Sequence, residues 1–360
     1  AGVGGPKMIE QGLESLFPME ELSVMGFVEV LPHLPNLMGR IKQTVSDVLR
    51  KRPVALITID SPGFCFRVAK SVGGLGIALI HYVAPTVWAW RPGRAKKIAK
   101  YLDHILALLP FEPAFLSRFG VASTFVGHAI VESGADKRDG KAFRQKYDVP
   151  ENASMICVLP GSRRGETKYM LPVFGATLGV LKQTRPDLVA VVPMVPSLVN
   201  DITVATHNWP VPTLLLEDDD EKYDAFVASD AALAASGTVS LELAMARTPS
   251  VIAYKVNPIT AWFALRLVKV EYVNLVNILL DRLAIPEYLQ DNCTPEQMAS
   301  AINVLLDDEN AQEAQRQAYQ EVLQQLGIDD ERPSLRAADV VMKIVDTYIE
   351  ARKKDNIEES

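Results

Sequence analysis

The sequence predicts an α/β protein of two doubly wound domains facing a cleft, with C-terminal helices. Three observations predict it. Continuous apolar runs of strand length recur, each followed by a helical pattern. A polar, charged stretch at 135–152 interrupts that alternation, which then restarts. From Pro295 to about Arg352 the pattern is helical throughout, with charged faces. Apolar runs separated by helices point to parallel sheets buried on both faces.

In the first half the runs at 54–59, 76–82, 104–108 and 123–126 read as strands. Helices are expected at about 63–71, near 91–101 (a basic one) and from about Glu112. In the second half the runs at 155–159, 188–192, 212–216, 231–234 and 250–254 read as strands, again with helices between. The chain has 360 residues, more than one core usually serves. The expected division is a Rossmann-like domain over 1–140, a second over 150–330, and a C-terminal helix and tail over 331–360. Ala1 and the glycines after it read as the end of a strand, so an incomplete N-terminus is expected.

Bulk composition excludes several classes. Hydrophobic residues are 48% and charged residues 22%, as in ordinary globular proteins. The net charge of −7 argues against broad nucleic-acid binding. Cys65, Cys157 and Cys293 stand far apart and form no Cys-x-x-Cys, so buried thiols in a reducing compartment are expected. No apolar run is long enough to span a bilayer, and no signal peptide is visible. The expected location is therefore cytoplasmic.

Ligands of doubly wound sheets sit beyond the carboxyl ends of the strands, so the candidate chemistry is sought there. Asp60 follows the first run, in Asp60-Ser61-Pro62-Gly63-Phe64. A carboxylate there can take a proton from an attacking hydroxyl; it can equally cap the next helix. Trp88, Trp90 and Arg91 follow the second run and can form an amphipathic wall against a sugar or an acyl chain, or pack on the following helix. His128, after Gly127, can meet a phosphate or sugar or be a structural histidine.

In the second half, Pro160-Gly161-Ser162-Arg163-Arg164-Gly165-Glu166 opens a helix. Gly161 permits a tight turn, amides near Ser162 suit an anion, and Arg163 or Arg164 can add a fork of donors to a diphosphate. Ser236-Gly237-Thr238 starts another helix, with Glu242 one turn on. Ser236, Gly237 and Thr238 offer hydroxyls and amides to phosphate. Glu242 can accept both hydroxyls of a ribose or act as a capping glutamate. Asp218-Asp219-Asp220 reads as a solvated helix start rather than a metal site. The apolar stretches at 22–38 and 262–280 are core helices or lipid-facing surfaces.

Together these pieces resemble the lipid-A-disaccharide synthase family, of GT-B architecture. The resemblance is carried by Gly2-Val3-Gly4-Gly5-Pro6-Lys7-Met8, Val24-Met25-Gly26, Asp60-Ser61-Pro62-x-Phe64, Tyr82-Val83-x-Pro85-x-Val87-Trp88-Ala89-Trp90-Arg91 and Pro110-Phe111-Glu112. It continues through Gly127-His128, Leu159-Pro160-Gly161-Ser162-Arg163-x-x-Glu166, Ser236-Gly237-Thr238-x-x-Leu241-Glu242, Tyr254-Lys255, Tyr272-Val273-x-Leu275-x-Asn277 and Pro286-Glu287-x-Leu289-Gln290. The resemblance spans nearly the whole chain.

It implies a UDP-sugar-dependent hexosyltransferase that joins UDP-2,3-diacylglucosamine to lipid X (2,3-diacylglucosamine 1-phosphate). The products are a β-1,6-linked disaccharide phosphate and UDP, formed with inversion and without a metal or other cofactor. It implies Asp60 as the general base. Arg163, Ser236, Gly237, Thr238 and Glu242 become the UDP site, and Asn277, Glu287 and Gln290 further donor contacts. It also implies peripheral association with the cytoplasmic face of the inner membrane and dimers that exchange C-terminal elements. The sequence departs from the family in three places. It lacks the family's first strand with its Gly-Glu-Ala-Ser-Gly-Asp loop, has Ala129 where proline is usual, and has Asn274-Leu275-Val276-Asn277 for Ser-Leu-Pro-Asn.

Overall fold

A computed structural model describes residues 1–22, 34–90, 92–257 and 270–358. They form two compact units, 1–127 with 334–360, and 128–333. Val24, Met25 and Arg91, most of the apolar stretch 22–38, and residues 262–269 of the stretch 262–280 lie outside the described residues.

The first unit holds four parallel strands, β1 (Ala55–Ile59), β2 (Ala78–Tyr82), β3 (His104–Ala107) and β4 (Ser123–Phe125), side by side in chain order. Because side chains alternate along a strand, Leu79, Ile105 and Ala107 enter one core with the helices Leu34–Lys51 and Pro62–Val72. Ile80, Leu106 and Val126 turn the other way, where Ala337, Val340, Val341 and Ile344 of the C-terminal helix Pro333–Glu358 cover them. Helices on both faces explain why these strands read as unbroken apolar runs.

The second unit holds β5 (Met155–Leu159), β6 (Val189–Pro193), β7 (Thr213–Leu216), β8 (Ala231–Ala235), β9 (Ser250–Tyr254) and β10 (Glu287–Leu289). All are parallel, in the order β10-β9-β8-β5-β6-β7. Counted from β5, this is the 3-2-1-4-5-6 order of a doubly wound sheet, whose two halves part between β5 and β8. Ile156, Val158, Leu233 and Val251 pack on Met170, Phe174 and Leu178 of the helix Arg164–Thr184 and on Met298 and Ile302 of the helix Pro295–Asp307.

Nine strands lie within two residues of the expected runs, and β10 is additional. The unit boundary falls at Gly127, shortly ahead of the charged stretch 135–152, within or near which a linker is expected. That stretch is built into the second unit. Asp139 caps the helix Gly140–Lys146, Phe143 is buried, and the Arg144 side chain donates to Ala228 O, Ala153 O and Asp230. The charges belong to a half-buried helix face. The segment after Ser334 is likewise no separate tail, because its apolar face closes the first unit's sheet.

The three cysteines are free and buried. Among the described residues, no helix is long and apolar enough to cross a membrane.

Candidate functional site

The second unit's chemistry gathers where β5 and β8 part. Leu159 and Ala234 are register partners in these adjacent strands, and the chain leaves each strand in a turn that opens a helix. After β5, Gly161 takes φ +105°, and a Cβ there would meet Glu166 Oε2 at 2.8 Å. Only glycine suits that position. Ser162 and Arg163 follow, both exposed, at the start of the 21-residue helix Arg164–Thr184. Glu166 Oε1 accepts from Arg163 Nη1 at 3.1 Å and from the Tyr254 hydroxyl at 3.3 Å. Burial and the adjacent carboxylate push Tyr254 up to about 12, so it stays a donor. Arg164 pairs with Asp201 at 3.0 Å, which leaves Arg163 as the arginine at this turn without that tether.

After β8, Gly237 and Thr238 are exposed, and a Cβ on Gly237 would meet nothing within 4 Å. Among the described residues, no group accepts from the amides of Gly237, Thr238, Ser162 or Arg163. Two adjacent strand ends therefore present exposed, unused N–H groups, the arrangement that receives an anion. Ser236 is committed elsewhere. Its hydroxyl donates to Val273 O at 2.9 Å and its amide to Ala253 O at 3.2 Å, so it has no donor left for a phosphate. Glu242 lies one turn into the helix Val239–Met245, its Oε2 2.7 Å from Lys222 Nζ. That contact is an ion pair without hydrogen-bond alignment.

Asn277 and Glu287, expected as donor contacts, hold the loop ahead of β10. Asn277 is fully buried. Its Nδ2 donates to Ile285 O and Glu287 Oε1, and its Oδ1 accepts from the amides of Ala284 and Ile285. Glu287 accepts from the amides of Val273 and Asn274 and from Asn274 Nδ2 at 2.6 Å. These bonds hold Val273, which in turn holds Ser236. Gln290 is half-buried with φ +51° and shapes the turn after β10, where its carbonyl accepts from Cys293 N. His128 caps the turn Ala129–Glu132, its Nδ1 accepting from Ile130 N at 3.1 Å, which places the ring proton on Nε2. Burial lowers its pKa to about 4, so the ring is neutral. The acidic run behaves as a helix start: Asp218 accepts from Asp220 N at 2.9 Å, ahead of the helix Lys222–Ala228.

In the first unit, Asp60 ends β1 with φ +45° and Ser61 follows with φ +40°. Neither serves as a side-chain cap for the helix Pro62–Val72. The strained turn leaves Asp60 exposed while its amide is held by Tyr82 O at 3.0 Å. Beyond β2 and β3, Trp88 Nε1 donates to Glu112 Oε1 at 3.1 Å, and Glu112 Oε2 accepts from the amides of Leu108 and Leu109. Glu112 is almost wholly buried, which raises its carboxyl to about 7. Sequence reasoning assigned no role to Glu112, Glu166 or Lys222. Glu166 carried a signal in its three-residue spacing from Arg163; Lys222 carried none.

This architecture is that of GT-B glycosyltransferases and nucleotide-sugar epimerases. The Neisseria meningitidis UDP-GlcNAc 2-epimerase has the same fold at TM-score 0.59 and 11% identity, with 89% of this chain and 88% of that chain covered. A glycosyltransferase from Rickettsia africae matches at TM-score 0.53 and 12% identity, over 86% of this chain and 81% of that chain. The particular family is set by sequence. The family model described as lipid-A-disaccharide synthetase matches residues 1–341. Lipid-A-disaccharide synthases of Rhodospirillum centenum and Paramagnetospirillum magneticum are 53% and 48% identical to it, each over 96% of this chain and over 86% and 89% of their own lengths. The chain belongs to the lipid-A-disaccharide synthase family, and it is a glycosyltransferase.

Proposed function

We propose that this chain transfers 2,3-diacylglucosamine from its UDP donor to the 6-hydroxyl of lipid X, with inversion. One observation carries the reading within the second unit: two turns with unused amides leave adjacent strands at the switch point, with Arg163 on one and Glu242 beyond the other. A UDP group fits that chemistry. The Ser162–Arg163 and Gly237–Thr238 amides and the Arg163 guanidinium meet the diphosphate, and Glu242 accepts the ribose hydroxyls.

In the proposed reaction the acceptor oxygen forms a bond to the anomeric carbon as that carbon's bond to the UDP oxygen breaks. Asp60 takes the acceptor proton. Its exposed carboxylate, displayed by a strained turn and unused as a cap, supports that role. The amides and Arg163 take up the negative charge growing on departing UDP, so no metal or other cofactor is needed. His128, neutral with a free Nε2–H, can donate to a sugar or phosphate oxygen. The substrates are acylated, so we place the enzyme peripherally on the cytoplasmic face of the inner membrane.

The test is turnover. The protein with UDP-2,3-diacylglucosamine and lipid X should release UDP and disaccharide in equal amounts. Asp60→Asn should lower kcat by about 10²–10⁴-fold with folding intact. Near-normal turnover in that variant would remove Asp60 from the mechanism.

A further inference from the structure

The amino ends of β2 and β3 hold a cavity of about 730 Å³. Gly76 and Ile77 lead into β2 and Leu102 and Asp103 into β3, so the cavity lies at the opposite end of these strands from the Trp88–Glu112 pair. Four cations line it. Lys70 comes from the last turn of the helix Pro62–Val72, Arg94 from the turn Pro92–Arg94, and Lys97 and Lys100 from the chain that follows. All four are exposed, and none has an acidic partner among the described residues. The acid of the lining, Asp103, already accepts from Leu79 N at 2.7 Å and from the Tyr348 hydroxyl.

Four cations against one carboxylate is a local excess of +3 in a chain of net charge −7. They face one concavity from two segments, Lys70 from the helix Pro62–Val72 and Arg94, Lys97 and Lys100 at three-residue steps along the run 92–100, and such like charges repel unless an anion sits among them. The wall is held. Arg352 donates to Gly76 O at 2.7 Å and to Pro53 O at 3.0 Å. Gly74 and Gly76 take positive φ and leave open space where a Cβ would stand, which keeps the rim low. An arginine fork with several lysine point charges is the donor set for phosphate oxygens. Leu75, half exposed between the two glycines, gives the rim an apolar tip.

We propose that this cavity is a binding site for a phosphate-bearing anion, held by Lys70, Arg94, Lys97 and Lys100. The phosphate can belong to a soluble ligand or to a lipid headgroup, beside which Leu75 would enter the acyl boundary.

The full chain is titrated with inorganic phosphate, and separately with phosphatidylcholine vesicles containing phosphatidylglycerol. The comparison is with Lys97→Gln/Lys100→Gln, and with Lys42→Gln/Lys343→Gln as a control of equal charge change on exposed lysines elsewhere. Thermal melting and turnover in detergent should match wild type in both variants. Binding of either probe that falls at least about fivefold in the first variant and not in the control supports the site. Phosphate alone then indicates a soluble ligand, and vesicles alone a headgroup. No binding of either probe, no loss in the first variant, or equal loss in the control overturns it.

Discussion

Lys222 Nζ lies 2.7 Å from Glu242 Oε2, and the same ammonium stands over the rings of Tyr223 and Phe226 at 5.1 and 5.9 Å. The carboxylate proposed to read a ribose is thus held by a cation that aromatic faces fix in turn. Hydrogen bonds to a charged group are worth about 1.5–3 kcal/mol, so Glu242→Gln should weaken UDP binding by about 10–100-fold. Calorimetry with UDP and 2′-deoxy-UDP checks this: wild type should prefer UDP, and the variant should scarcely discriminate. Lys222→Met should weaken UDP less, since the carboxylate remains.

The two turn glycines should respond differently. Gly237 has open space around it, so Gly237→Val should leave the melting temperature within a degree or two of wild type while blocking the diphosphate. At Gly161 the backbone takes φ +105° and Glu166 crowds the site, so Gly161→Ala should cost about 1–3 kcal/mol of stability. Denaturant unfolding with UDP titration separates the two. A Gly237→Val protein that binds UDP normally would contradict the placement.

Glu112 should leave a mark on stability against pH. Burial lifts its carboxyl from 4.5 to about 7, against three N–H donors that favour the charged form. The native state therefore holds this proton where the unfolded chain has lost it. Its contribution is complete below about pH 4.5 and disappears as pH rises through 7. Glu112→Gln should flatten that part of the profile. It should also cost about 1–3 kcal/mol, because an amide NH₂ would face N–H donors.

His81 acts in the opposite sense. Fully buried, bonded through Nδ1 to Thr58 Oγ1 at 2.8 Å and edge-on to Phe66, it is lowered to about 4. The unfolded chain takes up this proton first, so stability falls as pH drops from about 6.5 toward 4. His128 adds to the same trend. Replacing His81 with Gln should make the acid limb of unfolding shallower; an unchanged limb would show that His81 does not govern it.

Strands and turns were legible in the sequence because continuous apolar runs mark strands covered on both faces, and glycine-rich segments mark their ends. β10 was not legible: Glu287-Tyr288-Leu289 is short, polar at its start and paired only with β9. Residue type also could not say whether a polar side chain faces a ligand or the protein. Ser236, Asn277 and Glu287 look like ligand contacts by motif, and each also bonds within the protein, to Val273, Asn274, Ala284 or Ile285. The charged stretch at 135–152 looked like a linker because Arg144's partners, Ala228 and Asp230, lie far away in sequence.

Amide hydrogen exchange, with and without UDP, tests the central claim most directly. UDP should slow exchange at Ser162, Arg163, Gly237 and Thr238, whose N–H groups have no acceptor among the described residues. Bound UDP with unchanged exchange at all four amides would place the nucleotide elsewhere and contradict the account.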